Sequence, residues 1–415
     1  MTISQITARE IFDSNAKPTL EAFVHLSDGS VHSASVPSGT SVGANEAYEL
    51  RDGGSRLEGM GVLKCVEIIE EVISPLLKNL DPVKQSELDN LMIDKDATPN
   101  KKKLGANTLL AVSTAVSRAG AHLKSDHLHQ HLADLAQTRP KMPNLQILLI
   151  EGALHGGWAT DIQEYMIMPG KSSVREDLET GIAIYKGLKK EIEYRKYSIG
   201  TGMEGAFSPN TLVDNTEAMR LIMASIEGQG WENSTDLKLA IDVAASSFYK
   251  NGKYSLPTDS TKILEKIEFT GVLHGWLENF PIASIEDPYA EDDWESFEEF
   301  TANVDGNLLV VGDDLLTSNA LQIEKAARMK ACNAVIIKPN QVGTVTETLD
   351  AIKKAQEVGF KVIISHRSGE TCDSFIADLA VAVGAEYTKF GAPQHSERMA
   401  KYNRLLFLEG LLGEG

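Results

Sequence analysis

Between Leu237 and Lys389 the chain returns repeatedly to a short apolar run that stops at an ionisable side chain. The runs are LKLAID, ending at Asp242; IASIE, at Glu286; LLVVGD, at Asp313; NAVIIK, at Lys338; KVIISH, at His366; and EYTK, at Lys389. Their polar ends lie 44, 27, 25, 28 and 23 residues apart, about the length of a strand, a helix and two short loops. Strands this apolar are buried on both faces, as parallel strands are. The pattern narrows the fold to a (β/α) barrel or an open doubly wound sheet. In both, chemistry gathers at the C-terminal ends of the strands, and here each of those ends carries a functional side chain.

Upstream the pattern changes. ITAREIF, TLEAFVHL, the turn Ser27-Asp28-Gly29-Ser30 and VHSASV read as strands of a hairpin sheet, because Asp-Gly between alternating runs is a hairpin signal. A loop of small residues follows, Pro37-Ser38-Gly39-Thr40-Ser41-Val42-Gly43. Helical spacing predicts helices over 61–80, 83–94, 107–123 and 127–136. The last carries His127, His129 and His131, either a metal site or plain surface histidines. Residues 137–144 (QTRPKMPN) hold two prolines and no periodicity, and the domain boundary is expected there. The chain therefore reads as an α+β domain over 1–136 and a strand–helix series over 137–415. LQILLI and IQEYMIM look like the first strands of that series, with helices near 175–196 and 215–228.

At 415 residues, 42% hydrophobic and 24% charged, the chain can bury a large core. A formal charge of −19 and a pI near 5.0 argue against general nucleic-acid affinity. Cys65, Cys332 and Cys372 have no metal or redox spacing and read as reduced thiols. MTISQITAREIF lacks the features of a signal peptide, and no apolar stretch approaches membrane-spanning length. A cytoplasmic protein without a membrane span is expected.

Asp242, Glu286 and Asp313, at the ends of successive buried strands, would repel one another unless a cation compensates. All-oxygen ligation with open positions suits Mg²⁺. The alternative is that each carboxylate pairs with a local Arg or Lys, or caps a helix. Lys338 and Lys389 end two further strands. A nearby cation and partial burial would lower a lysine's pKa and make it a base, whereas a carboxylate partner would make it half of a salt bridge. His366-Arg367-Ser368-Gly369 offers a guanidinium, a hydroxyl and backbone donors in one loop, suited to phosphate or to a locally bonded turn. Glu164 and Glu204 are the remaining carboxyls, either solvated or, with a raised pKa, a general acid. Together these parts describe removal of a proton next to a carboxylate, followed by expulsion of a leaving group.

These residues lie in stretches that resemble the enolases, the phosphopyruvate hydratases. They are PSGTSVG at 37–43, EAYELRDG at 46–53, NKKKLGAN at 100–107, QEYMIMP at 163–169, DVAAS at 242–246 and SIEDP at 284–288. VGDDLLTSN at 311–319, IIKPNQVGT at 336–344, SHRSGETCD at 365–373, KFGAP at 389–393 and SERMAKYNRLL at 396–406 complete the series. The resemblance implies an α+β N-terminal domain followed by an enolase-type (β/α)8 TIM-like barrel, whose first strand and helix depart from the usual order. It implies reversible dehydration of 2-phosphoglycerate to phosphoenolpyruvate, two Mg²⁺ sites with the second dependent on substrate, and a homodimer or octamer. By the same resemblance Asp242, Glu286 and Asp313 bind the first Mg²⁺, and Ser41 helps hold the second. Lys338 takes the C2 proton, Glu204 protonates the departing hydroxyl, and Glu164 assists. Gln163 and Lys389 contact substrate, and Arg367 and Ser368 hold the phosphate with His366 nearby. His155 belongs to the family's second mobile loop.

Departures from the family pattern cluster around these last positions. Asn-Gly-Gly-x-His becomes Glu151-Gly-Ala-Leu-His155, followed by Gly156-Gly-Trp-Ala-Thr160. Asp-Glu-Gly-Gly becomes Met203-Glu204-Gly205-Ala206, and a Glu near the metals becomes Ser247. Restoring an acid through Met203→Asp is therefore expected to raise turnover. Two alternatives stand beside an enolase: a diverged lyase or isomerase acting on another phosphorylated or phosphonylated hydroxy acid, and a low-activity paralog with a binding role.

Overall fold

The computed structural model describes residues 1–39, 43, 45–231, 237–259 and 262–413. Three antiparallel strands open the chain: β1 (Ile3–Phe12), β2 (Pro18–Leu26) and β3 (Val31–Ser35), joined in the order β1-β2-β3. Gly29, at φ +89°, makes the predicted turn between β2 and β3. The helix predicted over 61–80 runs through Leu63–Ile68, a wider π turn at Ile69–Ile73, and Ser74–Leu77. Pro75 has no amide hydrogen to donate back along the helix, and the widened turn lies just before it. Helices follow at Gln85–Asp96, Ala106–Lys124 and Leu128–Ala136. The Ala106–Lys124 helix, buried along most of its length, packs across β2 and β3.

The strand–helix series closes into a barrel. Its strands are β4 (Asn144–Glu151), β5 (Glu164–Met168) and β6 (Lys238–Asp242), and, after an excursion, β10 (Ile282–Glu286), β11 (Leu309–Gly312), β12 (Ala334–Ile337), β13 (Lys361–Ser365) and β14 (Tyr387–Lys389). All neighbours are parallel except around β5, which runs antiparallel to both β4 and β6. This is the departure at the start of the barrel that the resemblance implied. The two helices Val174–Tyr194 and Thr216–Glu227 separate β5 from β6. The excursion is a small antiparallel sheet of β7 (Tyr249–Lys250), β8 (Lys253–Leu256) and β9 (Lys262–Leu264), absent from the sequence reading. It accounts for the long 44-residue step between Asp242 and Glu286.

Alternation along the strands sorts their side chains. Val335 and Ile337 on β12, and Val362 and Ile364 on β13, join the large core shared with the surrounding helices. Ala334, Ile336, Ile363 and Val311 form a small separate cluster, which places them in the barrel lumen. A further core is made by the hairpin sheet and the helices up to Ala119. The helix Leu128–Ala136 gives Leu132 and Ala133 to the barrel-side core. Cys65, Cys332 and Cys372 are free thiols, the first two buried. No helix among the described residues is long and apolar enough to cross a membrane.

Candidate active site

Strand register brings the predicted carboxylates level. Glu151 on β4 stands opposite Glu164 on β5, Glu164 opposite Asp242 on β6, and Asp242 opposite Glu286 on β10. Asp313, Lys338 and His366 each follow directly after β11, β12 and β13, and Lys389 is the last residue of β14. All of these except Lys338 are buried, and Lys338 is nearly so. The Lys389 ammonium lies 2.9 Å from Asp242 Oδ2, from both Glu286 oxygens and from Glu164 Oε2. Lys338 pairs with Asp313, whose other oxygen accepts from Gln341 Nε2 at 3.1 Å. Asp287 fixes the turn after β11 by accepting from the backbone N–H groups of Asp313 (3.1 Å) and Asp314 (2.7 Å). Gln163 donates to Asp242 at 3.2 Å.

The facing wall is built of imidazoles and a carboxylate. Glu204 lies between His155 (Nδ1 to Oε1, 3.2 Å) and His366 (Nε2 to Oε2, 3.1 Å), and His155 is also 3.8 Å from Glu164. The guanidinium of Arg398 lies 2.8 Å from His366 Nδ1. A guanidinium only donates, so Nδ1 is the acceptor and the imidazole proton sits on Nε2, toward Glu204. Arg398 also donates to the carbonyls of Arg367, Ser368 and Met203, tying the two loops of this wall together.

The first domain closes the rim. Ser38 and Gly369 exchange backbone hydrogen bonds, N to O at 2.8 and 3.1 Å. Arg367 meets Glu46 through both terminal nitrogens, at 3.0 and 3.3 Å, and donates to Asn340 at 3.1 Å. Glu370 accepts from Lys401 (2.7 Å) and from the Arg367 backbone (3.2 Å), which fixes the loop. One small cavity is lined by His155, Gln163, Glu164, Glu204, Asp242, Lys338, His366, Arg367, Ser368 and Lys389, so the structure brings these ten predicted residues together. Ser41 lies outside the described residues.

Two family models match the chain: the enolase N-terminal domain over residues 3–132 and the enolase C-terminal TIM barrel domain over 140–415. The chain belongs to the enolase family. It is 44% identical over 414 residues to Enolase 1 of Methylococcus capsulatus, covering 99% of this chain and 98% of that protein. It is equally similar to Enolase 2 of Methanospirillum hungatei, covering 99% of this chain and 96% of the relative.

The electrostatics of this enolase-family site turn on two groups. Burial alone would lower the Lys338 ammonium, but Asp313 outweighs it and the pKa rises instead. Asp313 in turn is brought down to about 2, since the two lysines overcome its burial. Lys389 is held well above its ordinary value, against burial, by Asp242, Glu164 and Glu286. Glu204 is the second case. Burial favours its protonation, but His366, His155 and Arg398 hold its carboxyl well below the usual range. Glu164 and Glu151 are among the raised carboxyls, both through burial first. His366 is pushed down to about 3 by burial despite Glu204.

The donor set fits a divalent cation. Glu164, Asp242, Glu286 and Asp313 are all oxygen donors, and around Lys338 and Lys389 they leave a formal charge of −2 in a buried site. Glu286 is driven up first by burial and then by the charge of Asp242, against the Lys389 ammonium beside it. Asp242, Glu286 and Asp313 do not converge on one point here, because the two ammonium groups occupy the space beside them. Among the described residues, the closest acidic or imidazole groups are His155, Glu164 and Glu204, and Asp287, Asp313 and Asp314.

Other readings change. His127 is exposed at the helix start, as a surface histidine would be, whereas His129 and His131 are buried. Ser247 is exposed on the short turn Ala245–Phe248. Pro339 opens the short helix Pro339–Val342, a position where its missing N–H costs nothing. Sequence reasoning missed Glu46, Asn340, Gln341, Asp287, Arg398 and Glu151. All but Glu151 sit inside quoted motif stretches, but nothing local marked them as partners of Arg367, Asp313 or His366.

Proposed function

We propose that the chain is a hydro-lyase that dehydrates 2-phosphoglycerate to phosphoenolpyruvate reversibly, with Mg²⁺. The observation that carries the reading is one buried cavity lined by a lysine, Lys338, and a facing carboxyl, Glu204, with Arg367 and Ser368 at its rim. Mg²⁺ held by Asp242, Glu286 and Asp313, with Ser41 at a second, substrate-dependent site, would neutralise those carboxylates and stabilise charge developing on the substrate.

Lys338 Nζ takes the C2 proton as the free amine, after its ammonium has given a proton to solvent; Mg²⁺ on Asp313 would weaken the ion pair that otherwise holds that ammonium. Glu204 gives a proton to the C3 hydroxyl, the C–O bond breaks, water leaves and the C2–C3 double bond forms. Glu204 rests as a carboxylate, so its proton is loaded as the anionic substrate enters beside it, because like charges raise a carboxyl's proton affinity. Glu164 and His155 complete the hydroxyl side, and Gln163 and Lys389 orient the substrate carboxylate. Arg367 exchanges Glu46 for the phosphate, with Ser368 and His366 adding contacts. Residues 1–136 act as the cap of the barrel of 137–415 and supply Ser41. A cytoplasmic homodimer or octamer belongs to the same reading.

Purified protein with Mg²⁺ and 2-phosphoglycerate should produce the ultraviolet absorbance of the enol phosphate. A folded, Mg²⁺-binding protein with no turnover would refute this reading. A thermal-shift screen of 2-hydroxy acids would then separate a diverged lyase or isomerase from a binding paralog.

A further inference from the structure

Glu151 ends β4 fully buried, yet it does not line the cavity. Its carboxylate accepts from the backbone N–H of Glu204 at 3.1–3.2 Å and from that of Ala206 at 2.9 Å. Among the described residues these are its only hydrogen-bond donors. Its own backbone N–H donates to Phe207 O at 2.9 Å, so main chain and side chain grip the same loop. The fit is tight: a Cβ on Gly202 would lie 2.3 Å from the Glu151 carboxyl carbon, and one on Gly156 would lie 2.1 Å from its carbonyl oxygen. On the far side Tyr185 donates to Gly205 O at 2.7 Å, and Arg398 holds Met203 O at 3.1 Å.

We infer that Glu151 is a positioning residue for the reaction: anchored on the N–H groups of Glu204 and Ala206, its carboxyl holds the Glu204 side chain between His155 and His366. The inference rests on the proposed dehydration. Glu151 acts through Glu204, because the two bonds it makes flank the acid itself and it reaches no atom of the cavity. Its carboxyl is held well above the ordinary range by burial and then by the Glu204 charge, as two acids packed together require. The role belongs to the second half of the reaction. Lys338 removes the C2 proton on the other wall, and Glu204 serves only the departing hydroxyl.

The test compares those halves. Glu151→Gln keeps the volume but turns an amide NH₂ toward backbone donors. Dehydration should fall by about 10–100-fold, the range of a disturbed general acid. Exchange of the substrate C2 proton with solvent should stay within about threefold of wild type, since it needs Lys338 and not Glu204. Glu151→Asp should show the same split with a smaller loss, and it serves if Glu151→Gln does not fold. No turnover by the wild type overturns the dehydration itself and this inference with it. Turnover by the wild type, with both rates falling together in the variants or neither changing, overturns only the assignment of Glu151.

Discussion

Lys389→Met removes the single ammonium that Asp242, Glu286 and Glu164 share, while keeping most of the side chain's volume. Three buried carboxylates each lie 2.9 Å from that nitrogen. Breaking a buried ion pair by deleting one partner costs about 3–5 kcal/mol, because the remaining charge has no compensation. For a large domain about 1 kcal/mol corresponds to about 2 °C, so Tm in EDTA should fall by about 6–10 °C. The loss should be larger at pH 8 than at pH 6. Glu286 and Glu164 have folded-state pKa values raised by burial, so as pH falls they protonate in the folded protein first and shed the repulsion. On the proposed reading Mg²⁺ would supply the missing charge at the same oxygens, and in the wild type it would have to displace the ammonium. At about 100 times its Kd it should return about 2.7 kcal/mol to the variant, and less to the wild type. Differential scanning calorimetry with EDTA and with Mg²⁺ reads both effects. A variant within about 2 °C of wild type in EDTA would refute the charge argument. Equal Mg²⁺ stabilisation of both proteins would show that the cation sits elsewhere.

Lys338→Ala should abolish C2-proton exchange in deuterated water followed by NMR; persistent exchange would put the base elsewhere. Met203→Asp, which the sequence suggested would raise turnover, should instead lower it by roughly three- to tenfold, since it adds an anionic side chain next to Glu204, beside which the Glu151 carboxyl is already buried. Steady-state kinetics of Met203→Asp and of its combination with Glu151→Asn check this, the double variant being faster than Met203→Asp alone. His131 is buried with both ring nitrogens unpartnered and its pKa pushed down to about 4 by burial. The unfolded chain therefore binds a proton that the folded one does not between about pH 6.5 and 4, and on the order of 2 kcal/mol of stability should be lost across that window. His131→Leu should flatten this part of the pH–stability curve in urea titrations.

Much of the barrel was legible because its strands end where apolar side chains give way to ionisable ones. That boundary is local, and it located Asp242, Glu286, Asp313, Lys338, His366 and Lys389 without any knowledge of pairing. Direction is not local. β5 is as apolar as its neighbours, so its antiparallel course left no mark on hydrophobicity. The three short strands β7 to β9 are too brief and too polar to stand out as periodic segments. Partners were the least legible. Glu46 is 321 positions from Arg367, and Glu151 is 53 from Glu204. Only tertiary structure distinguishes such carboxyls from solvated ones. The same holds for the lysines, whose proton affinity follows from Asp313 and Asp242 rather than from burial alone.

The altered wall of the site is best understood as a transfer of a carboxyl group between elements. Read from sequence, Met203 in place of the family's Asp looks like a deletion beside Glu204, and Glu151 in place of Asn looks unrelated, since the two lie on separate elements. In the fold both changes meet at the segment 202–206, and a buried carboxyl remains beside Glu204. It now belongs to the end of a barrel strand. Groups carried on strands are held more precisely than groups on loops, because the ladder hydrogen bonds fix the backbone that bears them. The Glu204 loop is thus referenced to β4 and not only to itself. The small residue needed for that contact, Gly202, follows as a steric consequence. Reverting either half alone should therefore cost more than reverting both, and the interaction energy in that double-mutant cycle measures the coupling directly.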